Sequence, residues 1–249
     1  MVKQRANGMT LLELMIALGL AAMLSVGLVQ IASAAASSTR LQRNQAQIQE
    51  NARLAITMIS RYVREAGFNP RPWDANLPEM GWDGGSIESA SINSDRLVVR
   101  SWSDRNCFDN RNPETDPEGL PAFYIRVSSF ELNSSHGLTW ECRYGPSLTE
   151  LVNQVRRQGL VQNVDSFQAL FGEDTNQDHV VDRWVKAGHW NQATGISGVR
   201  LGLLLSSEDR VSEPVKYTFP VLDATARSRA DGKLRRVFEF AAAIRSKTG

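Results

Sequence analysis

Residues 9–31 form an apolar run with a single charged side chain, Glu13, and no other stretch constrains the fold so strongly. As a helix, about 23 residues at roughly 1.5 Å each extend about 35 Å, against roughly 30 Å of bilayer hydrocarbon. Lys3 and Arg5 precede the run, and the positive-inside bias then holds the N-terminus in the cytoplasm and places everything after Ala36 across the membrane. A carboxylate in hydrocarbon costs about 3 kcal/mol unless something pairs with it, so an acid at this position marks a functional site.

Three readings of the segment compete. A secretory signal peptide would use Lys3 and Arg5 as its charged region and Ala32-Ser33-Ala34 as its cleavage site, releasing a soluble periplasmic protein that starts near Ala35. Against it, an ordinary signal has an apolar region of only about 7–15 residues and rarely an acid. A plain anchor would let Glu13 snorkel to the near interface. The third reading rests on the string Gly8-Met9-Thr10-Leu11-Leu12-Glu13-Leu14-Met15-Ile16-Ala17-Leu18, which resembles the class III signal of type IV pilins and pseudopilins. That resemblance implies a cytoplasmic leader over residues 1–8, cleavage by a prepilin peptidase after Gly8, and methylation of the new N-terminus at Met9. Met9 stands where most relatives carry phenylalanine. It further implies that Glu13 of one subunit neutralises the Met9 amine of its neighbour as helices pack into a fibre. Gly19, Ala21, Ala22, Ser25 and Gly27 are small enough for such helices to approach closely.

The helical pattern continues past the membrane. Leu41, Ile48, Ala52, Ala55, Ile59, Tyr62 and Ala66 recur at three-and-four spacing, which predicts one buried face, and Gly67, Pro70 and Pro72 stop the helix. A helix over residues 9–66, membrane-spanning over 9–31, then leads into a β-rich periplasmic domain over 67–249, long enough for its own core. Residues 68–119 are rich in Pro and Gly and predict one strand, 97–102. Strands are further predicted at 122–132 and 138–144 as a hairpin, and at 165–171, 199–205, 215–221 and 234–244, with Arg235 and Arg236 as edge or solvent-face protection. The fold class is α+β: a type IV pilin-like helix packed on an antiparallel sheet. In an oxidising compartment Cys107 and Cys142 predict a disulfide, the alternative being two free buried thiols.

One loop has the pattern of a calcium site. Asp174, Asn176, Asp178, the Val180 carbonyl and Asp182 follow EF-hand spacing, but His179 replaces the turn glycine and Val185 the bidentate glutamate. The segment is either a weak calcium site or a solvated acidic turn, and no other cofactor is expected. No metalloprotease, nucleophile-elbow, Walker or dinucleotide motif occurs, so no enzyme activity is expected. A formal charge of +1 gives no electrostatic case for nucleic acid. Residues 49–56, 60–67, 158–164, the acidic turn before Arg183-Trp184, and residues 198–206 resemble the PilW family of minor pilins. This resemblance implies a role in priming type IV pilus assembly and supporting the tip complex, in adhesion and twitching motility. The implied partners are other minor pilins, the major pilin, a tip adhesin, the inner-membrane assembly platform and the prepilin peptidase. The alternative within the superfamily is a minor pseudopilin of a type II secretion system, similar to the GspJ family.

Overall fold

The computed structural model describes residues 9–74, 77, 80, 82, 85–91, 94–116, 119 and 121–245. The leader expected at residues 1–8, Gly8 included, lies outside them. The chain divides into two compact units, residues 1–45 and 46–249. A single helix, α1 (Leu11–Glu65), supplies nearly all the described residues of the first unit and opens the second. In the first unit its side chains present apolar surface, and α1 is long and apolar enough to cross a membrane. The hydroxyls in this unit bond to the helix itself: Ser25 to the Ala21 carbonyl at 2.8 Å and Thr39 to the Ala35 carbonyl at 2.9 Å. Such back-bonding lets a polar side chain sit in an apolar run without an unsatisfied donor.

In the second unit the last five turns of α1 have one buried face. Ile48, Ala52, Ala55, Ile59, Tyr62, Val63 and Ala66 are buried, the spacing expected for one stripe of a 3.6-residue helix. The alanines bring the helix axis close to the sheets beneath it. Gly67, at φ 66°, takes the left-handed turn that ends α1. Its N–H donates to the Arg100 carbonyl at 2.9 Å, so the departing chain pairs with a strand instead of entering solvent.

Two antiparallel sheets lie under this stripe. The first is a meander of β1 (Ile87–Ser91), β2 (Ser94–Ser103), β3 (Tyr124–Leu132), β4 (Leu138–Gly145) and β5 (Val152–Val161), in that order. The second has the order β11-β8-β6-β7, formed by β6 (Val164–Glu173), β7 (Arg183–Val185), β8 (Ile196–Arg210) and β11 (Lys233–Ala243). A two-stranded ribbon, β9 (Thr218–Val221) with β10 (Ala224–Arg227), covers the outer face of β8. Gly202 allows that cover: a Cβ there would fall 2.8 Å from Val221 Cγ1 and 2.9 Å from Leu222 Cγ.

The sheets share one core because strand alternation aims one face of each at the helix. Leu97 and Val99 of β2, Phe130 and Leu132 of β3, Trp140 and Cys142 of β4, and Phe167, Phe171, Leu201 and Leu203 of β6 and β8 join the helical stripe in it. Tyr62 packs against both Phe130 and Trp140, with ring centroids 5.7 and 5.6 Å away. The opposite face of the meander holds a smaller cluster of Met80, Val98, Trp102, Ile125 and Val127. Beside β6 the sheets are joined by side chains. Ser94 Oγ accepts the Phe167 N–H at 3.1 Å and Asp95 Oδ2 accepts the Ala169 N–H at 2.9 Å.

Three features differ from the sequence expectation. The strands belong to two larger sheets and a two-stranded ribbon, not one sheet, and β1, β5, β7 and β10 add to those predicted. The 215–221 strand contracts to Thr218–Val221. Arg235 is not a solvent-face residue: its side chain is 3 % exposed and pairs with Asp165 at 2.6 Å and with both oxygens of Asp231 at 2.7 Å. Arg235 points across β11 into carboxylates that desolvation would otherwise penalise.

Ile59→Ala is expected to destabilise the β-rich unit by about 3 kcal/mol, the usual cost of a cavity at a sealed core position. Leu54→Ala, on the exposed face of the same helix, is expected to change stability by less than about 0.5 kcal/mol. Urea unfolding followed by tryptophan fluorescence distinguishes the two.

Candidate functional site

The acid in the apolar run is explained at the start of α1. Thr10 is the residue before the helix, and Glu13 lies on its first turn. The Glu13 carboxylate folds back so that Oε2 accepts the Thr10 N–H at 3.0 Å and the Thr10 hydroxyl at 3.1 Å. The same hydroxyl oxygen accepts the Glu13 N–H at 3.3 Å. This reciprocal arrangement is a capping box, which satisfies amides that every helix N-terminus leaves open. It also sets negative charge against the positive end of the helix dipole.

The sequence reading sought a partner for Glu13 only in a neighbouring chain, whereas the structure supplies one within the chain. Thr10 was overlooked, although the Thr-x-x-Glu spacing ahead of an apolar run was its signal. One carboxylate oxygen, Oε2, takes both bonds that reach the carboxylate. Oε1 accepts none from the described residues, so the group keeps capacity for a further cation. Met9 is exposed one residue before the cap, which puts the residue numbered for processing beside this carboxylate along the chain.

Cys107 and Cys142 form a disulfide with Cα atoms 5.9 Å apart. It ties the loop after β2 to the centre of β4, and the Cys107 N–H is held by Gln154 Oε1 of β5 at 2.9 Å. Closing a loop of this size removes roughly 4 kcal/mol of unfolded-chain entropy. The bridge is a structural element of the meander.

The acidic loop between β6 and β7 closes on its own hydrogen bonds. Asp174 accepts the Gln177 N–H at 2.6 Å and the His179 N–H at 2.8 Å. Asp182 Oδ2 accepts the Thr175 N–H at 2.7 Å and its hydroxyl at 2.5 Å, which hold this carboxyl below the usual range. Asn176 Nδ2 donates to Asp178 at 3.1 Å, and the Val180 N–H donates to Asp178 Oδ1 at 2.8 Å. Gln177 and His179 both adopt left-handed conformations, at φ 62° and 69°. Among the described residues no three His, Cys, Asp or Glu side chains are grouped to hold a metal ion, and this loop is no exception. Asp174, Asp178 and Asp182 each accept hydrogen bonds from within the loop, and these bonds shape it as a turn.

The loop is anchored by Glu173, a residue the sequence reading passed over. Glu173 is buried; its Oε2 accepts two bonds from Arg183, at 2.9 and 2.7 Å, and its Oε1 accepts the N–H groups of Asn191 and Gln192 at 2.6 and 3.1 Å. Burial alone would raise this carboxyl, but Arg183 and the two amides outweigh it and hold the group below its ordinary value. Arg183 and Trp184 thus serve a structural joint: Trp184 carries the Arg200 guanidinium 4.7 Å from its ring centroid.

Against known families, residues 139–246 match the model described as type IV pilus-assembly protein W, PilW. Residues 3–29 match that of the prokaryotic N-terminal methylation motif. No curated protein matches the chain. The first match takes in β4 through β11, including the acidic loop and the Glu173 joint, and the second covers the capping box.

Because Glu173 is held ionised in the fold, its contribution to stability is complete above the unfolded carboxyl value, about 4.3. It is lost as pH falls through the lower folded value. Melting temperatures should therefore decline below about pH 4. Glu173→Gln should melt lower at pH 7 and show a shallower decline between pH 5 and 3.

Proposed function

Because the chain belongs to the PilW family of type IV pilus minor pilins, we propose that it primes polymerisation of the pilus and supports the tip complex. The observation that carries this reading is the half-committed carboxylate of Glu13 at the mouth of a membrane-crossing helix. The chain is a membrane-anchored structural component of the pilus, and the proposal extends that role in three steps.

First, prepilin peptidase cuts after Gly8 on the cytoplasmic side and the new N-terminus at Met9 is methylated. Second, the chain waits as a single-pass inner-membrane protein with its β-rich unit in the periplasm. In that state the Thr10 bonds lower the cost of keeping Glu13 in an apolar setting. Third, the Met9 amine of a neighbouring minor or major pilin approaches Glu13 as the assembly platform extrudes the helices. Two charges that are each costly in lipid then become a registration contact. The small residues Gly19 and Gly27 leave open space around their positions, room for an adjacent helix. Support of a tip adhesin, with attachment and twitching motility as its consequences, completes the reading. Catalysis has no part in it.

The acidic loop enters as a structural turn. Millimolar Ca²⁺ is expected to leave the melting temperature unchanged, because the loop carboxylates are already taken by amides and hydroxyls. A rise of several degrees would establish a cation site there.

Deleting the gene is expected to abolish surface fibres, and wild-type protein supplied in trans to restore them. Glu13→Ala should fold, retain the Cys107 to Cys142 bridge, and restore fibres poorly. Normal piliation with failed export of secreted proteins would overturn the pilus assignment in favour of a secretion system. Mass spectrometry of the mature N-terminal peptide provides the second check: methylated Met9 is expected, and a start near Ala35 would exclude this processing.

A further inference from the structure

Where α1 ends over the meander, the second unit has a cleft of about 610 Å³ whose lining is unusually cationic. Arg61 and Arg64 reach it from the last turn of the helix, Arg105 from the loop after β2, Arg126 from β3 and Arg245 from the end of β11. Three carboxylates, Glu65, Asp104 and Asp109, face these five guanidinium groups.

The charges do not cancel. Arg126 pairs with Glu65, which also approaches Arg61 at 3.7 Å; Arg61 reaches Asp109 at 3.2 Å, and Asp109 is 3.9 Å from Arg105. That relay of alternating signs leaves Arg64 and Arg245 with no ion pair among the described residues. Arg126 is itself incompletely satisfied: the residue is 6 % exposed, and its Nε has no hydrogen-bond partner among the described residues. A buried guanidinium N–H without an acceptor is costly, so this wall is built for more negative charge than the chain supplies.

Apart from Ser103, the rest of the lining is aromatic. Phe68 is exposed, Phe123 is half-buried, and Trp102 forms part of the floor. A second cleft of about 380 Å³ shares Arg61, Arg64, Glu65 and Arg245 and continues along α1 past Ser60 and Thr57 to Ile56. Two clefts that share one cationic wall make a trough, which fits an extended segment better than a compact ligand.

We propose that this trough docks an acidic, aromatic-containing segment of a neighbouring pilus subunit. Its carboxylate pairs with Arg64 and Arg245, and an adjacent ring packs on Phe68 and Phe123. Charge complementarity selects the occupant: guanidinium groups take carboxylates in forked geometry, and the aromatic walls accept an apolar neighbour. The identity of the partner as a pilus subunit rests on the function proposed above, whereas the peptide chemistry rests on the trough alone.

The test uses the full chain in detergent micelles and fluorescence anisotropy with a labelled octapeptide of alternating Asp and Phe. Saturable binding is expected, weaker by about tenfold or more for the matching Asn and Phe peptide and for the Asp and Gly peptide. The double variant Arg64→Glu, Arg245→Glu should lose about tenfold or more, and Arg64→Gln, Arg245→Gln an intermediate amount, with melting temperatures of the Gln variant little changed because neither arginine is ion-paired among the described residues. Absence of saturable binding, or equal binding by the charge-reversed variant, would overturn the proposal. Displacement by free N-acetylphenylalanine at lower concentration than by unlabelled peptide would also overturn it, by showing a small-molecule carboxylate site. None of these outcomes alters the deletion phenotype, so failure here is distinguishable from failure of the pilus assignment.

Discussion

Ser94 and Asp95 hold the β-rich unit together at the point where a hydrogen-bonded ladder cannot. β6 pairs with β8 along nearly its whole length, but on its other side β7 covers only residues 171–173. The amides of Phe167 and Ala169 would otherwise be buried donors without acceptors, each costing about 1–3 kcal/mol. Ser94 and Asp95 take them from the first two positions of β2, and both residues are themselves buried. The consequence is architectural. Two sheets of different connectivity are brought side by side under one helix, and the Ile48 to Ala66 stripe of α1 then seals both.

The irregular segments are fixed by carboxylates that each serve several donors. Glu173 binds Arg183 and two amides, Asp231 and Asp165 hold Arg235, and Lys186 bridges Glu88 and Asp223. Asp231 lies well below the usual carboxylate range because Arg235 grips both its oxygens, a grip that outweighs its partial burial. These groups are placed at strand ends and loop bases, where backbone pairing stops. A partly buried ion pair adds little when compared with apolar packing, but losing one partner leaves a charge stranded, so such joints define the loop conformation sharply.

The parts legible in the sequence are those with a strict period. The stripe on α1 keeps the helical period, β8 reads as one apolar run buried on both faces, and the Asn133 to Gly137 turn bends as its residues require, with His136 at φ 58°. Strand β5 escaped because an edge strand buries little: Gln154, Arg156, Arg157 and Gln158 interrupt any apolar alternation. Arg235 was misplaced because its partners Asp231 and Asp165 sit across a turn and on another strand, a pairing that no local pattern encodes. At the candidate site, Glu13 stood out through cost alone, whereas Thr10 required capping logic applied inside a membrane run. The acidic loop had ligand spacing, but spacing fixes residue order and not which loop amides each carboxylate accepts.

The bridge between Cys107 and Cys142 has a mechanical consequence. It spans a sequence separation of 35 residues, which contains all of β3 and half of β4. A pull applied between α1 and the C-terminal strands passes through the sulfur atoms and bypasses that segment. About 120 Å of contour length, at roughly 3.4 Å per residue, is thereby withheld from extension. The segment between the cysteines, which carries β3 and with it Arg126 of the cationic trough, is held back from that extension.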